Sequence, residues 1–164
     1  MKLILSAFLL LFALISRLVV IHNGKIGEKE VVVSIPVNEC YRHVTDPYTY
    51  PRDFTVRLKQ RSIDLKLHIE NLRFILIISG TMSYVAQILS VEPNIRFSFI
   101  LDDWLETRFD FTLTSIDEEK SRMKVTISSN KDNIFYKHII LPIAHLYYSN
   151  WLTQCLLRFQ LTYS

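Results

Sequence analysis

The sequence predicts an α+β fold: a curved antiparallel β-sheet wrapped around a long C-terminal helix, preceded by an N-terminal hydrophobic helix. Three observations predict it. Between Ile63 and Ile127, apolar and polar residues alternate in short runs separated by turn signals, the period of half-buried strands. From Ile143 onward, apolar residues recur at helical spacing, as on a helix with a broad apolar face. Leu3 to Ile15 is apolar apart from Ser6. A sheet with one apolar face needs a cover, and beyond residue 28 only the last helix is long enough to provide it.

Taken in order, Leu3 to Ile21 is long enough to cross a bilayer as a helix, with Arg17 near its end, where the guanidinium can reach the headgroups. The run also reads as a cleaved signal peptide, with Lys2 as its basic start and a poor cleavage site at Ser16, or as a buried helix. The expectation is a single-pass membrane anchor over residues 1–24, with secretion after signal cleavage as the alternative, ahead of a domain over 28–164. Lys2 precedes the run while Arg17, Lys25 and Lys29 follow it, so basic residues do not set an orientation.

Val31, Val32, Val33 and Ile35 are β-branched and favour a strand. Pro36 removes a backbone donor and stops it. Asn38 is the expected N-cap of a short helix, with Glu39 near its positive end. Val37, Tyr41 and Val44 give that helix one apolar stripe, and Asp46-Pro47 ends it. Tyr48 to Pro51 reads as a further turn.

Ile63 to Ile69 alternates, and Phe74 to Ser79 is a continuous apolar run before Gly80. Tyr84 to Val91 continues extended, and Glu92-Pro93-Asn94 turns the chain. Alternation returns at Ile95 to Phe99, Phe109 to Leu113 and Met123 to Ile127, with Asp102-Asp103 and Asp117 to Lys120 as the intervening turns. These short, closely spaced runs describe one antiparallel meander. In the last helix Ile143, Tyr147, Trp151, Cys155 and Phe159 recur every four residues, and Pro142 fits its first turn.

Composition excludes several functions. Three glycines leave no Gly-rich phosphate loop. A net charge of +3 does not argue for a nucleic-acid partner. The five histidines, His22, His43, His68, His138 and His145, lack metal-ligand spacing. No catalytic residue, metal or cofactor is assigned. Cys40 and Cys155 read as two small buried hydrophobes, with a disulfide as the alternative. Arg57, Lys59 and Arg61 alternate within a basic stretch from Arg52 to Arg73. This is a solvated strand face or one that meets anionic headgroups.

The strand, Pro36, short helix with Tyr41, Thr45-Asp46-Pro47 and Tyr50-Pro51 resemble the opening of START-like helix-grip proteins, the SRPBCC superfamily of polyketide cyclases and lipid-transfer domains. Phe54 stands where that opening usually has a tryptophan. Ser90 to Phe97, Phe109 to Thr114 and Arg122 to Ile127 resemble its later strands, so the likeness spans about residues 28 to 160. The resemblance implies a cavity between sheet and helix that binds an apolar partner such as a lipid, sterol or quinone. The inward candidates are Phe97, Phe99, Phe109, Phe111, Met123 and Val125 from the sheet, and Tyr147, Trp151 and Gln154 from the helix. An aromatic sheet face is also what a plain core looks like.

The expected function is non-enzymatic binding or transport of a hydrophobic small molecule at a membrane. A cyclase or dehydratase-type enzyme in the same cavity would need Gln154, Tyr147 and His138 to face inward. An assembly factor would show a filled core and an exposed apolar patch.

Overall fold

In a computed structural model of the chain, residues 6, 24–46, 54–58, 73–78, 82–131, 133 and 135–164 are described, with backbone alone for 54–58, 73–78 and 82–83. Seven strands are present: β1 (Lys25–Val33), β2 (Phe54–Leu58), β3 (Arg73–Ile78), β4 (Met82–Glu92), β5 (Arg96–Leu101), β6 (Thr107–Ser115) and β7 (Ser121–Ser129). Helix α1 (Val37–Thr45) follows β1. A single π-helical turn (Tyr136–Ile140) leads into α2 (Leu141–Thr162).

The strands form one sheet in the order β1-β7-β6-β5-β4-β3-β2. Every neighbouring pair is antiparallel. From β3 to β7 the sheet is the expected meander, and β2, which is not among the expected strands, extends it at the edge. β1 then pairs with β7, which brings the two ends of the domain together. Gly24 makes that closure possible: its φ is +69°, and a Cβ there would lie 2.5 Å from the Ser129 carbonyl oxygen. Only glycine suits both constraints.

The turns have local causes. Asn94 takes the left-handed conformation at φ 64°, which its short polar side chain tolerates, and the Ile95 N–H donates to the Glu92 carbonyl. Asp103 does more than mark a turn. Its carboxylate accepts from the Thr107 N–H at 2.7 Å and the Thr107 hydroxyl at 2.6 Å, pinning the start of β6. At α1 the N-cap is Pro36 with no side-chain cap, rather than Asn38. The Pro36 carbonyl already accepts from the Glu39 and Cys40 N–H groups, so Asn38 lies inside the first turn. Pro142 lies at the start of α2 as expected. The π turn immediately before it accommodates a residue that has no N–H to continue the ladder.

One face of the sheet is apolar. Register aligns Phe97 with Phe111, Phe111 with Val125, Phe99 with Phe109, and Leu113 with Met123. The same face continues through Ile88 and Ala86 of β4. It then runs to the positions of Phe74 and Leu76 on β3, and of Leu58 and Val56 on β2. Leu141, Ala144, Leu152 and Leu156 of α2 are buried in the core.

The every-fourth-residue stripe on α2 does not pack as a unit. Ile143 and Tyr147 are exposed, Trp151 and Cys155 are half-buried, and Phe159 packs against the core. A step of four residues overshoots a 3.6-residue turn by about 40°. Five such positions therefore wind from the outer side of the helix to the sheet side.

The expected membrane location is corrected. Among the described residues no helix is long and apolar enough to cross a membrane. α2, at 22 residues, is interrupted by His145, Asn150, Gln154 and Arg158 and packs on the sheet. The apolar segment itself lies outside the described residues apart from Ser6, which is helical. His22, the turn at Tyr48 to Pro51 and the alternating run at Ile63 to Ile69, with His68, also lie outside them. Of the basic stretch, only the backbone of Arg57 and Arg73 is described. Cys40 and Cys155 are not joined in a disulfide, the first being buried and the second half-buried.

Candidate functional site

The centre of the concave face is a continuous aromatic cluster reaching from sheet to helix. Phe99 stacks on Phe109 with ring centroids 5.0 Å apart, and Phe97 and Phe111 flank Phe99 at 5.9 and 6.1 Å. Phe109 then meets Tyr148 at 6.3 Å and Trp151 at 6.1 Å, both edge to face. These are the separations at which aromatic pairs add to simple burial. Helix α2 runs along β1 and reaches β6 through the Tyr148 and Trp151 side chains, and Phe97, Phe99, Phe109, Met123 and Val125 are buried by the protein itself.

The cluster has an open fringe. Tyr84, Val91, Phe111, Tyr148 and Trp151 pack against the core but are only partly buried. Tyr84 and Val91 belong to β4, the strand from which the sheet extends to β3 and β2. Register places Leu76 opposite Tyr84, and Val56 opposite Leu76, so apolar positions continue outward from the fringe.

Polar groups are few here. The Tyr148 hydroxyl lies near the side chain of Thr107, which is itself held by Asp103. Burial pushes Tyr148 up to about 12, with the nearby Asp103 carboxylate adding to the rise and Thr107 opposing it. On α1, the Tyr41 hydroxyl is buried without a partner, and burial raises its pKa. A buried, unpaired hydroxyl costs about 1–3 kcal/mol.

The helix is fastened at both ends. The β-bulge between Lys25 and Gly27 leaves the Ile26 carbonyl to hydrogen-bond with His145 Nδ1. At the far end the Ser34 N–H donates to the Tyr163 carbonyl at 2.7 Å, and the Tyr163 hydroxyl lies 3.2 Å from His43 Nδ1. His43 and His145 are thus structural. His138 is exposed.

Of the nine ligand candidates, the structure brings seven together: Phe97, Phe99, Phe109, Phe111, Met123, Val125 and Trp151. Tyr147 is 60% exposed and Gln154 is also exposed, so the expectation that they point inward is corrected. Both sit about a third of a turn from the centre of the face that packs on the sheet. The sequence reading missed Tyr84 and Tyr148. Tyr148 could have been found from its place one turn beyond buried Ala144 and one before Leu152.

Among the described residues no three His, Cys, Asp or Glu side chains are placed to hold a metal. An open cleft of about 310 Å³ lies at the start of α1, lined by Pro36, Asn38, Glu39 and Arg42. Asn38, Glu39 and Arg42 bring polar groups to it that the concave face lacks.

No family model and no curated protein matches the sequence. Solved structures do match the fold. An HSP90 activator from Plasmodium falciparum is 17% identical with a TM-score of 0.56, covering 84% of this chain and 96% of that one. A START superfamily protein from Mycobacterium smegmatis is 13% identical with a TM-score of 0.53, covering 74% and 91%. A di-domain ARO/CYC of a biosynthetic pathway is 16% identical with a TM-score of 0.51, covering 63% of this chain. The present chain spans only 35% of that di-domain protein. The order of the strands, the single long helix held against their concave face and these likenesses together make this a START-like helix-grip fold.

Proposed function

We propose that this chain binds an apolar small molecule without chemical turnover, on the concave face beside α2. The observation that carries the reading is the half-buried aromatic fringe of Tyr84, Phe111 and Trp151. It borders buried core residues on one side and apolar strand positions on the other. Apolar walls with a few polar groups are what a hydrophobic ligand needs. Phe97, Phe99, Phe109, Met123 and Val125 form the floor beneath that ligand, and the orphaned Tyr41 hydroxyl offers a partner for its polar end. The lipid-, sterol- or quinone-like class is the one the START-like resemblance implies, and the apolarity of the face supports it.

The test uses the two tryptophans, Trp104 and Trp151. In the full chain carrying Trp104→Phe, Trp151 is the sole reporter. Titration with oleate, and separately with cholesterol, is expected to give a saturable change in its emission with one of them. Phe111→Ala is expected to weaken that binding about tenfold, equivalent to about 1.4 kcal/mol of lost apolar contact. Emission that stays unchanged with both probes would overturn the reading.

An enzymatic reading needs Tyr147, Gln154 and His138 to face inward, and all three are exposed. An interaction surface is the second reading that an observation favours. Leu141, Ala144, Leu152 and Leu156 of α2 are buried, while Ile143, Leu146, Tyr147, Leu157 and Leu161 of the same helix are exposed.

A further inference from the structure

We infer that the outer face of α2 is a two-fold self-association surface whose occupant is a second copy of this chain. The inference builds on the second reading above and is independent of the ligand. Helix α2 is apolar on two opposite sides. Ala144, Tyr148, Leu152 and Leu156 turn toward the core. About half a turn away stand Ile143, Leu146, Tyr147, Leu157 and Leu161, between 52% and 77% exposed. Asn150 and Gln154, also exposed, share that side. An ordinary surface helix is apolar on one side and polar on the other, whereas no charged residue falls among these seven outer positions.

The order of residues along the face points to the partner. Six of the seven positions are paired in kind about position 152, while the seventh, Leu146, has the exposed Arg158 as its counterpart. Ile143 and Leu161 are equally distant from that point, as are Tyr147 and Leu157, and Asn150 and Gln154. A second copy running antiparallel, with a two-fold axis there, sets Ile143 against Leu161 and Tyr147 against Leu157. It also sets the Asn150 amide against the Gln154 amide, and every pair occurs twice, as an isologous interface requires. Amides can satisfy one another as donor and acceptor. A polar pair inside an apolar seam fixes its register. Antiparallel helices also place the positive end of each dipole beside the negative end of the other.

The extent of the face sets the strength. Positions 143 to 161 span about 27 Å of helix axis, and two helices meeting over that length bury an area at the low end of specific interfaces, under about 1,200 Å² in total. The association is therefore reversible and depends on concentration.

Sedimentation velocity on the full chain between about 1 and 100 μM is expected to show monomer passing to dimer, the range in which an interface of that size responds. Leu157→Lys and Tyr147→Glu, each at an exposed position, are expected to give monomer across that range with unchanged circular dichroism. Combined in one chain, Tyr147→Glu and Leu157→Lys face each other across the antiparallel seam and are expected to restore the dimer. A parallel seam would instead set Glu against Glu and Lys against Lys. A wild-type monomer at every concentration, a dimer that survives either single change, or a double variant that stays monomeric would each overturn the inference. The Trp151 titration is expected to be unaltered by Leu157→Lys, so the two proposals fail separately.

Discussion

Tyr148 shows how a single residue acquires its properties from its surroundings. In sequence it is one of two adjacent tyrosines. In the fold its neighbour Tyr147 is exposed while Tyr148 packs on Phe109 near Thr107. Its pKa rises from the ordinary value of 10.0 to about 12, chiefly through burial. A raised folded-state pKa means that the folded protein keeps a proton the unfolded chain gives up. The linked stability is therefore complete below pH 10 and is lost as pH rises toward 12. Alkaline titration of tyrosinate absorbance is expected to show one late-ionising group that Tyr148→Phe removes. Denaturation between those pH values should be less pH-dependent in the variant. Glu28 behaves in the opposite sense. Its bond with Lys25, with burial opposing and Lys124 and Thr126 assisting, holds it at about 2 against 4.5. Its contribution is present above pH 4.5 and is lost as pH falls toward 2. At this scale little was legible in the sequence. Asp103 looked like a solvated turn residue, because nothing local shows that Thr107 will return to it.

At the scale of elements, the strands were legible and the faces of α2 were not. Alternation identifies a strand and its buried side together, because the side-chain period is two and does not drift. Phe97, Phe99, Phe109, Met123 and Val125 were assigned on that basis and are buried. A helix whose apolar residues surround it gives no such reading. Tyr147 and Gln154 were placed with Trp151 by spacing, yet they lie on the exposed side. Truncation separates the two faces. Leu152, 3% exposed, is expected to cost about 2–5 kcal/mol when changed to Ala, by lost transfer energy and the cavity left behind. Leu157→Ala is expected to change the stability of the monomer by less than about 0.5 kcal/mol. Urea denaturation of the full chain at low concentration measures both.

At the scale of the whole molecule, the central strands are held on several sides. β7 lies between β6 and β1 beneath an apolar face that α2 covers. Its amides, with those of β6, are expected to exchange most slowly in deuterium oxide, since only global unfolding frees them. Amides of the edge strand β2 should exchange faster. The closure of β1 onto β7 joins residues about a hundred positions apart. No local pattern encodes it; Gly24 and the bulge at Ile26 take their meaning only once the two strands have met. The sequence by itself determined the element types, the apolar side of each strand and the likeness to the helix-grip fold, because these follow from short-range period and turn chemistry. Tertiary structure alone decided which side of α2 meets the sheet, that Trp151 and Tyr148 fill the space over Phe109, and that a second apolar face is left outside. Those outcomes depend on how elements distant in the chain rotate and close on one another, and contacts between such elements leave no periodic trace in the residues that make them.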